Sequence, residues 1–205
     1  MEELSSKMRN QVKKSLKTYE VRIISADEVK KIGLKIYNSA LSSYKIKADL
    51  ITQKQFEQMI KSQTEKGNIE YWGVFEKKTS NVVALSVNTV YDDCCEYNSM
   101  KCDPAYQHNS TYPYYGLIYE MNRYYLEDKH LKYVNDGSRS ITEHSNIQPF
   151  LEEKFNFRKA YCHLQIYYKW YVKMIVYILY PFRNKISNLK IQSILRMEAM
   201  HRNEY

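Results

Sequence analysis

The sequence is short of glycine and proline, and its few cysteines form no metal-binding or disulfide pattern. Among 205 residues there are 5 Gly, 4 Pro and 4 Cys. The cysteines are Cys94, Cys95, Cys102 and Cys162, and none belongs to a C-x-x-C pair. This spacing argues against a zinc ribbon or a thioredoxin-like redox motif, and it predicts a reduced, cytoplasmic protein without a bound metal.

Long apolar runs are missing as well. Met1–Lys17 is polar and lysine-rich, so we expect a short helix or arm there and not a signal peptide. The most hydrophobic stretch, Tyr167–Phe182, is shorter than the roughly 20 apolar residues of a transmembrane helix. We expect this helix to pack on the sheet or against a second subunit of a homodimer. Alternatively, its aromatic residues and flanking lysines fit peripheral contact with an anionic membrane through residues 169–185.

Tyrosine and positive charge are abundant. The chain has 21 Tyr and a formal net charge of +8. Many tyrosines indicate a Tyr-rich core and half-buried sheet faces, and a base-stacking surface is the alternative. The charge favours anionic ligands, but no zinc-finger or RNP-type motif accompanies it. We therefore do not expect nucleic-acid binding, with tRNA as the one exception considered below.

Hydrophobic periodicity predicts an α+β order of elements. The first half predicts a strand, two helices and three antiparallel strands at Tyr19–Ile24, Ala26–Tyr44, Gln53–Lys66, Glu70–Lys77, Val82–Tyr91 and Glu96–Cys102. The second half predicts helix, strand, helix and strand at Tyr112–Lys129, Leu131–Asp136, Asn146–Phe155 and Phe157–Tyr168. Ser25 and Thr52 are expected to cap the first two helices, and Leu189–Met200 predicts a final amphipathic helix.

This order of elements resembles the GNAT superfamily of N-acyltransferases. Two stretches, Gly137–Ser140 and Phe150–Lys159, look like the final helix and strand of a divergent acyltransferase branch. That branch is related to the Fem-type aminoacyl transferases. The resemblance implies an α+β fold with a mixed, largely antiparallel central sheet flanked by helices. It also implies that two middle strands splay apart and that acyl-CoA lies in the gap. We accordingly expect an N-terminal arm or helix (1–18), a GNAT-like domain (19–168) and a C-terminal helical extension (169–205).

The resemblance also implies where acyl-CoA binds. The loop Gln107–Gly116 would hold the pyrophosphate, although it has a single Gly where the superfamily usually has two. The backbone of the last predicted meander strand would align the pantetheine arm. The expected cofactor-binding residues are Ser99, Met100, Lys101, Gln107, Ser110, Thr111, Gly116 and Asn146. A loop that only caps the following helix is the alternative.

Five polar residues fall within nine positions after the predicted fifth strand: Asp136, Ser138, Arg139, Glu143 and His144. An amine must lose a proton before it attacks a thioester, so Asp136, Glu143 or His144 is expected to act as general base. Arg139 and Ser138 are expected to bind substrate. The alternative is that these residues shape a turn, form a surface ion pair and cap a helix.

The superfamily often carries an L-Y-E-K-x-G-F run, which reads Leu151–Phe157 here. Glu152 replaces the Tyr that protonates the leaving thiolate, and Asn156 replaces the Gly. We interpret Glu152 as part of a solvated helix face. The implied function is transfer of an acyl group, most simply acetyl, from acyl-CoA to an amine or other small-molecule acceptor. The alternatives are a catalytically degenerate ligand- or partner-binding domain and a tRNA-dependent aminoacyl transferase.

Overall fold

The structure is a computed structural model that describes residues 4–44, 49–107, 109–137, 147–161 and 163–202. Packing divides the chain into two compact units, Met1–Ser138 and Arg139–Tyr205. The domain bounds expected from the sequence, with a boundary near residue 168, stay a prediction.

The first unit alternates helices and strands in the predicted order. Its helices are α1 (Ser6–Thr18), α2 (Ala26–Ser42), α3 (Gln53–Thr64), α4 (Pro104–Gln107) and α5 (Pro113–Asn122), which continues as a π-helical segment, Arg123–Asp128. Its strands are β1 (Tyr19–Ile24), β2 (Ile69–Glu76), β3 (Val82–Val90), β4 (Cys94–Cys102) and β5 (Tyr133–Asn135).

The five strands form one sheet in the order β1-β2-β3-β4-β5. The first four pair antiparallel, and β5 pairs parallel to β4. A parallel neighbour requires a crossover, which the helices between β4 and β5 provide. The predicted α+β class, a mixed and largely antiparallel sheet flanked by helices, is confirmed.

One face of the sheet, here called the α2/α3 face, carries an aliphatic and aromatic core. Its members are Ile24, Val29, Ile36, Phe56, Ile60, Tyr71, Phe75 and Leu85. Both helices begin at the predicted caps. Thr52 and Gln55 form a complete capping box at α3. At α2, Ser25 accepts from the Glu28 N–H, but the Glu28 carboxylate turns away and pairs with Arg22 at 2.5 Å.

The opposite face packs against α1, α5 and the π-helical segment, and it contains a buried polar network centred on Tyr125. The Tyr125 hydroxyl accepts from Trp72 Nε1 at 2.9 Å and from Asn88 Nδ2 at 3.2 Å. It donates to Glu70 Oε2 at 2.9 Å. Burial raises the pKa of Tyr125 far above its ordinary value, so the hydroxyl stays protonated and can donate.

The second unit contains α6 (Ile147–Phe155), α7 (Trp170–Leu179), a short 3-10 turn (Tyr180–Phe182) and α8 (Leu189–His201). The regular part of α7 ends just before Pro181, which is the effect expected of proline. The predicted final amphipathic helix is confirmed as α8. No helix among the described residues is long and apolar enough to cross a membrane.

The strand predicted at Phe157–Tyr168 is wrong for the described residues of that range, which lie in neither strand nor helix. Asn156 has φ +57° and turns the chain after α6. Tyr168 then packs with the α7–α8 pair, while Tyr161 and Tyr167 are about nine-tenths exposed. Of the alternating apolar residues, Tyr168 thus packs on helices, and no described strand pairs with this segment.

We predict that Tyr125→Phe lowers the free energy of unfolding by about 1–3 kcal/mol, because Trp72, Asn88 and Glu70 each lose a buried partner. Urea unfolding measures this loss. Tyr124→Phe is the matched control, since the Tyr124 ring contacts with Trp72 and Lys129 survive in phenylalanine. A Tyr125→Phe protein as stable as the Tyr124→Phe protein would show that the network contributes nothing.

Candidate functional site

The junction of β4 and β5 is the clearest opening in the first unit. β5 pairs only with the start of β4, from Cys94 opposite Tyr133 to Glu96 opposite Asn135. β4 continues to Cys102, and beyond Glu96 the described residues supply no strand on its β5 side. Backbone hydrogen-bonding groups on that side of β4 can therefore bind an extended ligand.

A β-bulge lies where this opening starts. Val87 pairs with Ser99 and Asn88 pairs with Tyr97, so Asn98 is an extra residue in β4. The bulge shifts the alternation of side chains, as bulges near functional sites commonly do. As a result, Glu96 and Ser99 lie on the same face of the sheet although they are three residues apart.

Glu96 is held at the edge of the opening. Asn98 Nδ2 donates to Glu96 Oε1 at 3.2 Å, and Asn98 Oδ1 accepts from Thr89 Oγ1 at 2.5 Å. Gly137 lies against the same carboxylate, because a Cβ there would sit 2.9 Å from Glu96 Oε1. A half-buried carboxylate at the point where the parallel pairing of β4 and β5 ends can accept a proton from an amine.

A cleft of about 130 Å³ lies on the α2/α3 face beside the second half of β4. Ser99 and Lys101 line it from β4, and Tyr37, Phe56 and Tyr71 line it from the helices and β2. Lys101 Nζ donates to the Tyr44 hydroxyl at 2.7 Å and lies over the rings of Tyr37 and Tyr44. Predicted cofactor residues Ser99 and Lys101 thus direct their side chains into this cleft.

In the loop expected to bind pyrophosphate, several backbone N–H groups already donate to acceptors within the loop. The Thr111 N–H donates to Asn109 Oδ1 at 3.0 Å, and the Tyr115 N–H donates to the Tyr112 carbonyl at 3.0 Å. Pro113 has no N–H, and Tyr112 adopts a left-handed conformation with φ +58°. The first turn of α5 therefore has few N–H groups left for a phosphate.

Side chains of the same loop have partners elsewhere in the first unit. Thr111 Oγ1 lies 2.5 Å from the Tyr19 hydroxyl, and Gln107 Nε2 donates to the Cys102 carbonyl at 3.3 Å. Lys14 Nζ of α1 donates to Ser110 Oγ at 3.3 Å. The loop thus has one ammonium group beside it, which the sequence alone did not indicate because Lys14 precedes the resembling region.

Gly116 lies inside α5 and not in the loop, and it allows close approach of α1. Its N–H donates to Ser15 Oγ at 3.1 Å, and a Cβ at Gly116 would sit 2.4 Å from that oxygen. The structure therefore gives Gly116 a packing role, and its N–H is already used. A role in cofactor binding stays a prediction.

Of the other predicted site residues, Asp136 directly follows β5 and is half-buried. Met100 lies on β4 opposite Ser86 of β3. The remaining ones lie outside the described residues: Ser138, Arg139, Glu143, His144 and Asn146. Their catalytic, substrate-binding and cofactor-binding roles stay predictions.

Cysteine chemistry finds no support among the described residues. Burial raises the pKa of the Cys95 and Cys102 thiols to about 12, so both stay protonated near neutral pH. No group of three or more His, Cys, Asp or Glu residues that could hold a metal ion occurs in the described part of the chain.

We predict that Gly116→Ala lowers the free energy of unfolding by about 1–3 kcal/mol, because the new methyl group collides with Ser15. Adding Ser15→Ala to that variant should recover part of the loss, since it removes the oxygen at 2.4 Å. A double-mutant cycle by urea unfolding measures the coupling. A Gly116→Ala protein of unchanged stability but weakened CoA binding would instead favour the cofactor role.

Comparison with known proteins supports the fold. No protein-family model matches the chain, and a search of curated proteins finds no sequence relative. Solved structures do match. One is a possible acetyltransferase from Clostridium difficile 630, with a TM-score of 0.56 at 14% identity, covering 74% of this chain and 98% of that chain. A predicted acetyltransferase from Clostridium acetobutylicum with acetyl-CoA matches with a TM-score of 0.52 at 10% identity, covering 73% and 96%.

A third match is an aminoglycoside acetyltransferase from an uncultured soil metagenomic sample in complex with sisomicin. Its TM-score is 0.52 at 9% identity, with 75% of this chain and 98% of that chain covered. The relationship to Fem-type aminoacyl transferases stays a prediction. The chain has the fold of the GNAT acetyltransferases.

Proposed function

We propose that this protein is an N-acyltransferase that transfers an acyl group, most simply acetyl, from acyl-CoA to an amine. The observation that carries the proposal is the open edge of β4 next to a bulge and a carboxylate, in a fold shared with acetyltransferases. When bound, acyl-CoA supplies an electrophilic thioester carbonyl and a thiolate leaving group.

The second half of β4 fits the pantetheine arm. That arm contains two amide groups, and an exposed strand edge binds amides through its own N–H and C=O groups. This edge consists of Ser99, Met100 and Lys101, whose backbone groups would hydrogen-bond the pantetheine arm. The side chains of Ser99 and Lys101 line the cleft on the α2/α3 face.

The pyrophosphate would be held mainly by charge. The loop before α5 has few uncommitted N–H groups, but Lys14 lies at its Ser110 and 5.8 Å from the Tyr112 ring centre. A lysine ammonium binds phosphate as a point charge and needs no glycine-rich cradle. Lys14 and Ser110 would therefore replace part of the backbone contacts that the glycine-poor loop cannot offer.

Glu96 is the general base in this proposal. Its carboxylate takes a proton from the acceptor ammonium, and the neutral amine then attacks the thioester carbonyl. The carbon–sulfur bond breaks, and the extra proton on the new amide nitrogen passes to the departing CoA thiolate. Asn98 orients the carboxylate by donating to Oε1, which leaves Oε2 for the acceptor. Sequence reasoning missed Glu96 because a lone Glu in a strand carries no motif and the bulge at Asn98 is visible only in the pairing.

The cleft beside Ser99 is the proposed site for the rest of the acceptor. Its described lining holds one cation, Lys101, and no carboxylate. A polycation such as sisomicin, which is bound by one similar structure, would be repelled there. We therefore expect an amine whose remaining groups are neutral or anionic.

We predict that CoA and acetyl-CoA raise the melting temperature and that Lys14→Gln weakens their binding about two- to fivefold, the effect of one exposed charge. Calorimetric titration measures the dissociation constants. Lys13→Gln is the matched control, because it removes the same charge from the adjacent exposed position of α1. Acetyl-pantetheine lacks the pyrophosphate, so its binding should not respond to Lys14→Gln. No binding of any of these compounds would contradict the proposed function.

We predict that Glu96→Gln lowers kcat/KM about 10²–10³-fold while leaving acetyl-CoA affinity unchanged, because it removes the proton acceptor and keeps the shape. Thiol release from acetyl-CoA with a panel of primary amines measures this. Glu65→Gln on the exposed end of α3 is the control for a lost carboxylate. If Asp136→Asn lowered kcat/KM and Glu96→Gln did not, the general base would be Asp136 and not Glu96.

A catalytically degenerate binding domain is the second candidate. It is favoured by the loop before α5, because the N–H groups of Thr111 and Tyr115 already have acceptors within the loop. This candidate predicts that ligand binding survives Glu96→Gln and that no amine is acylated. Transfer from charged tRNA, suggested by the net charge of +8, would instead appear as salt-dependent tRNA binding.

A further inference from the structure

Exposed apolar side chains are concentrated in the second unit. Among the described residues, twelve of the seventeen large hydrophobic side chains with high exposure lie in the segment after Ser138, which is about half as long as the first unit. Large exposed apolar patches on a protein commonly mark sites of contact with a partner or a membrane.

Helix α7 carries six of these twelve side chains. Its inner stripe, Val172, Val176 and Leu179, packs with α8. The side chains of its outer face, Trp170, Met174, Tyr177 and Ile178, are between 56% and 79% exposed. A helix that is apolar on all sides is normally covered on all sides, and within the second unit the described residues leave the outer face of α7 uncovered.

The exposed charges of the segment that contains α7 have one sign. Glu198 of α8, which lies beside α7, is only 6% exposed and pairs with Arg202. Residues 157–197 contain eight Lys or Arg and no Asp or Glu. Lys169 and Lys173 stand at the start of α7, and Arg183 and Lys185 follow its end. Aromatic and aliphatic side chains flanked by cations are the composition of helices that lie in the interface of an anionic membrane.

We propose that the outer face of α7 docks on an anionic membrane surface, with the helix lying in the plane of the headgroups. A helix of ten residues is about 15 Å long, roughly half of a hydrocarbon core, so it lies on a bilayer and does not cross it. Trp170 and Tyr177 would sit at headgroup level, and Met174 and Ile178 would enter the acyl region.

Charge and composition decide against the other occupants. A second copy of this unit would bring a second set of cations to the same interface without any acidic partners between residues 157 and 197, and like charges there oppose association. RNA would neutralise the cations but leave Met174, Ile175 and Ile178 in contact with phosphate and water. An anionic lipid surface satisfies both the cations and the apolar face.

Intrinsic tryptophan fluorescence can detect this contact. It has two tryptophans, of which Trp72 is 4% exposed in the first unit and Trp170 is 79% exposed on the outer face of α7. Adding vesicles of phosphatidylcholine with about one third phosphatidylglycerol to the full-length protein should shift the Trp170 emission to shorter wavelength. Pure phosphatidylcholine vesicles should produce a smaller shift, and added salt should reverse much of the effect.

Co-sedimentation with the same vesicles tests which residues make the contact. Met174→Glu should weaken vesicle binding more than about tenfold, since it places a charge among lipid chains and repels the anionic surface. Leu50→Glu is the matched control, because it makes the same charge change at 58% exposure in the first unit, against 56% for Met174. Lys173→Gln should weaken binding about fivefold.

Three results would overturn the proposal. The first is a Trp170 emission that does not change with anionic vesicles. The second is a wild-type dimer in light scattering that Met174→Glu converts to a monomer. The third is equal vesicle binding by the Met174→Glu and Leu50→Glu proteins. Because vesicle binding requires neither acyl-CoA nor Glu96, it can fail while the proposed acyltransferase activity holds, and the reverse.

Discussion

The three-residue parallel pairing of β4 with β5 is the interaction on which the rest of the first unit depends. It fixes β5 against the sheet through Cys94, Cys95 and Glu96, and it stops there. The bulge at Asn98 follows immediately, and the described residues supply no strand on the β5 side of the second half of β4. A longer pairing would close the sheet edge, and a missing one would release the segment around Asp136. The short pairing therefore creates both an open edge and a carboxylate at its start.

A second constraint comes from α1. Ser15 and Gly116 bring α1 against α5, and this contact uses an N–H of the first turns of α5. The same helix places Lys14 beside the loop that precedes α5. The packing of α1 on α5 thus occupies the Gly116 N–H, which could otherwise bind phosphate, and brings the Lys14 ammonium to the loop. Phosphate affinity at such a site would depend on ionic strength more than it would at a cradle of backbone N–H groups.

The sequence could predict most of the first unit because its elements have local signals. Thr52 with Gln55, and the alternation along β2 and β3, mark a helix start and two strands without knowledge of the fold. The bulge at Asn98 has no such signal, since it depends on which residue of β3 lies opposite. Strict alternation would place Glu96 and Ser99 on different faces. The prediction for Phe157–Tyr168 failed for a related reason, because alternation does not reveal whether the covering element is a sheet or a pair of helices.

The two units differ in how completely they bury their apolar side chains. In the first, buried polar groups such as Tyr125 and Asn88 find partners inside the unit, and the sheet is covered on both faces. In the second, one stripe of α7 is packed and the remaining apolar side chains face outward among cations. Stability of the first unit accordingly comes from internal packing, whereas the second unit has apolar surface that only a partner can bury.

An acyltransferase held at an anionic surface in this way would meet membrane-bound acceptors at high local concentration. A cleft with one cation and no carboxylate suits acceptors that carry negative charge.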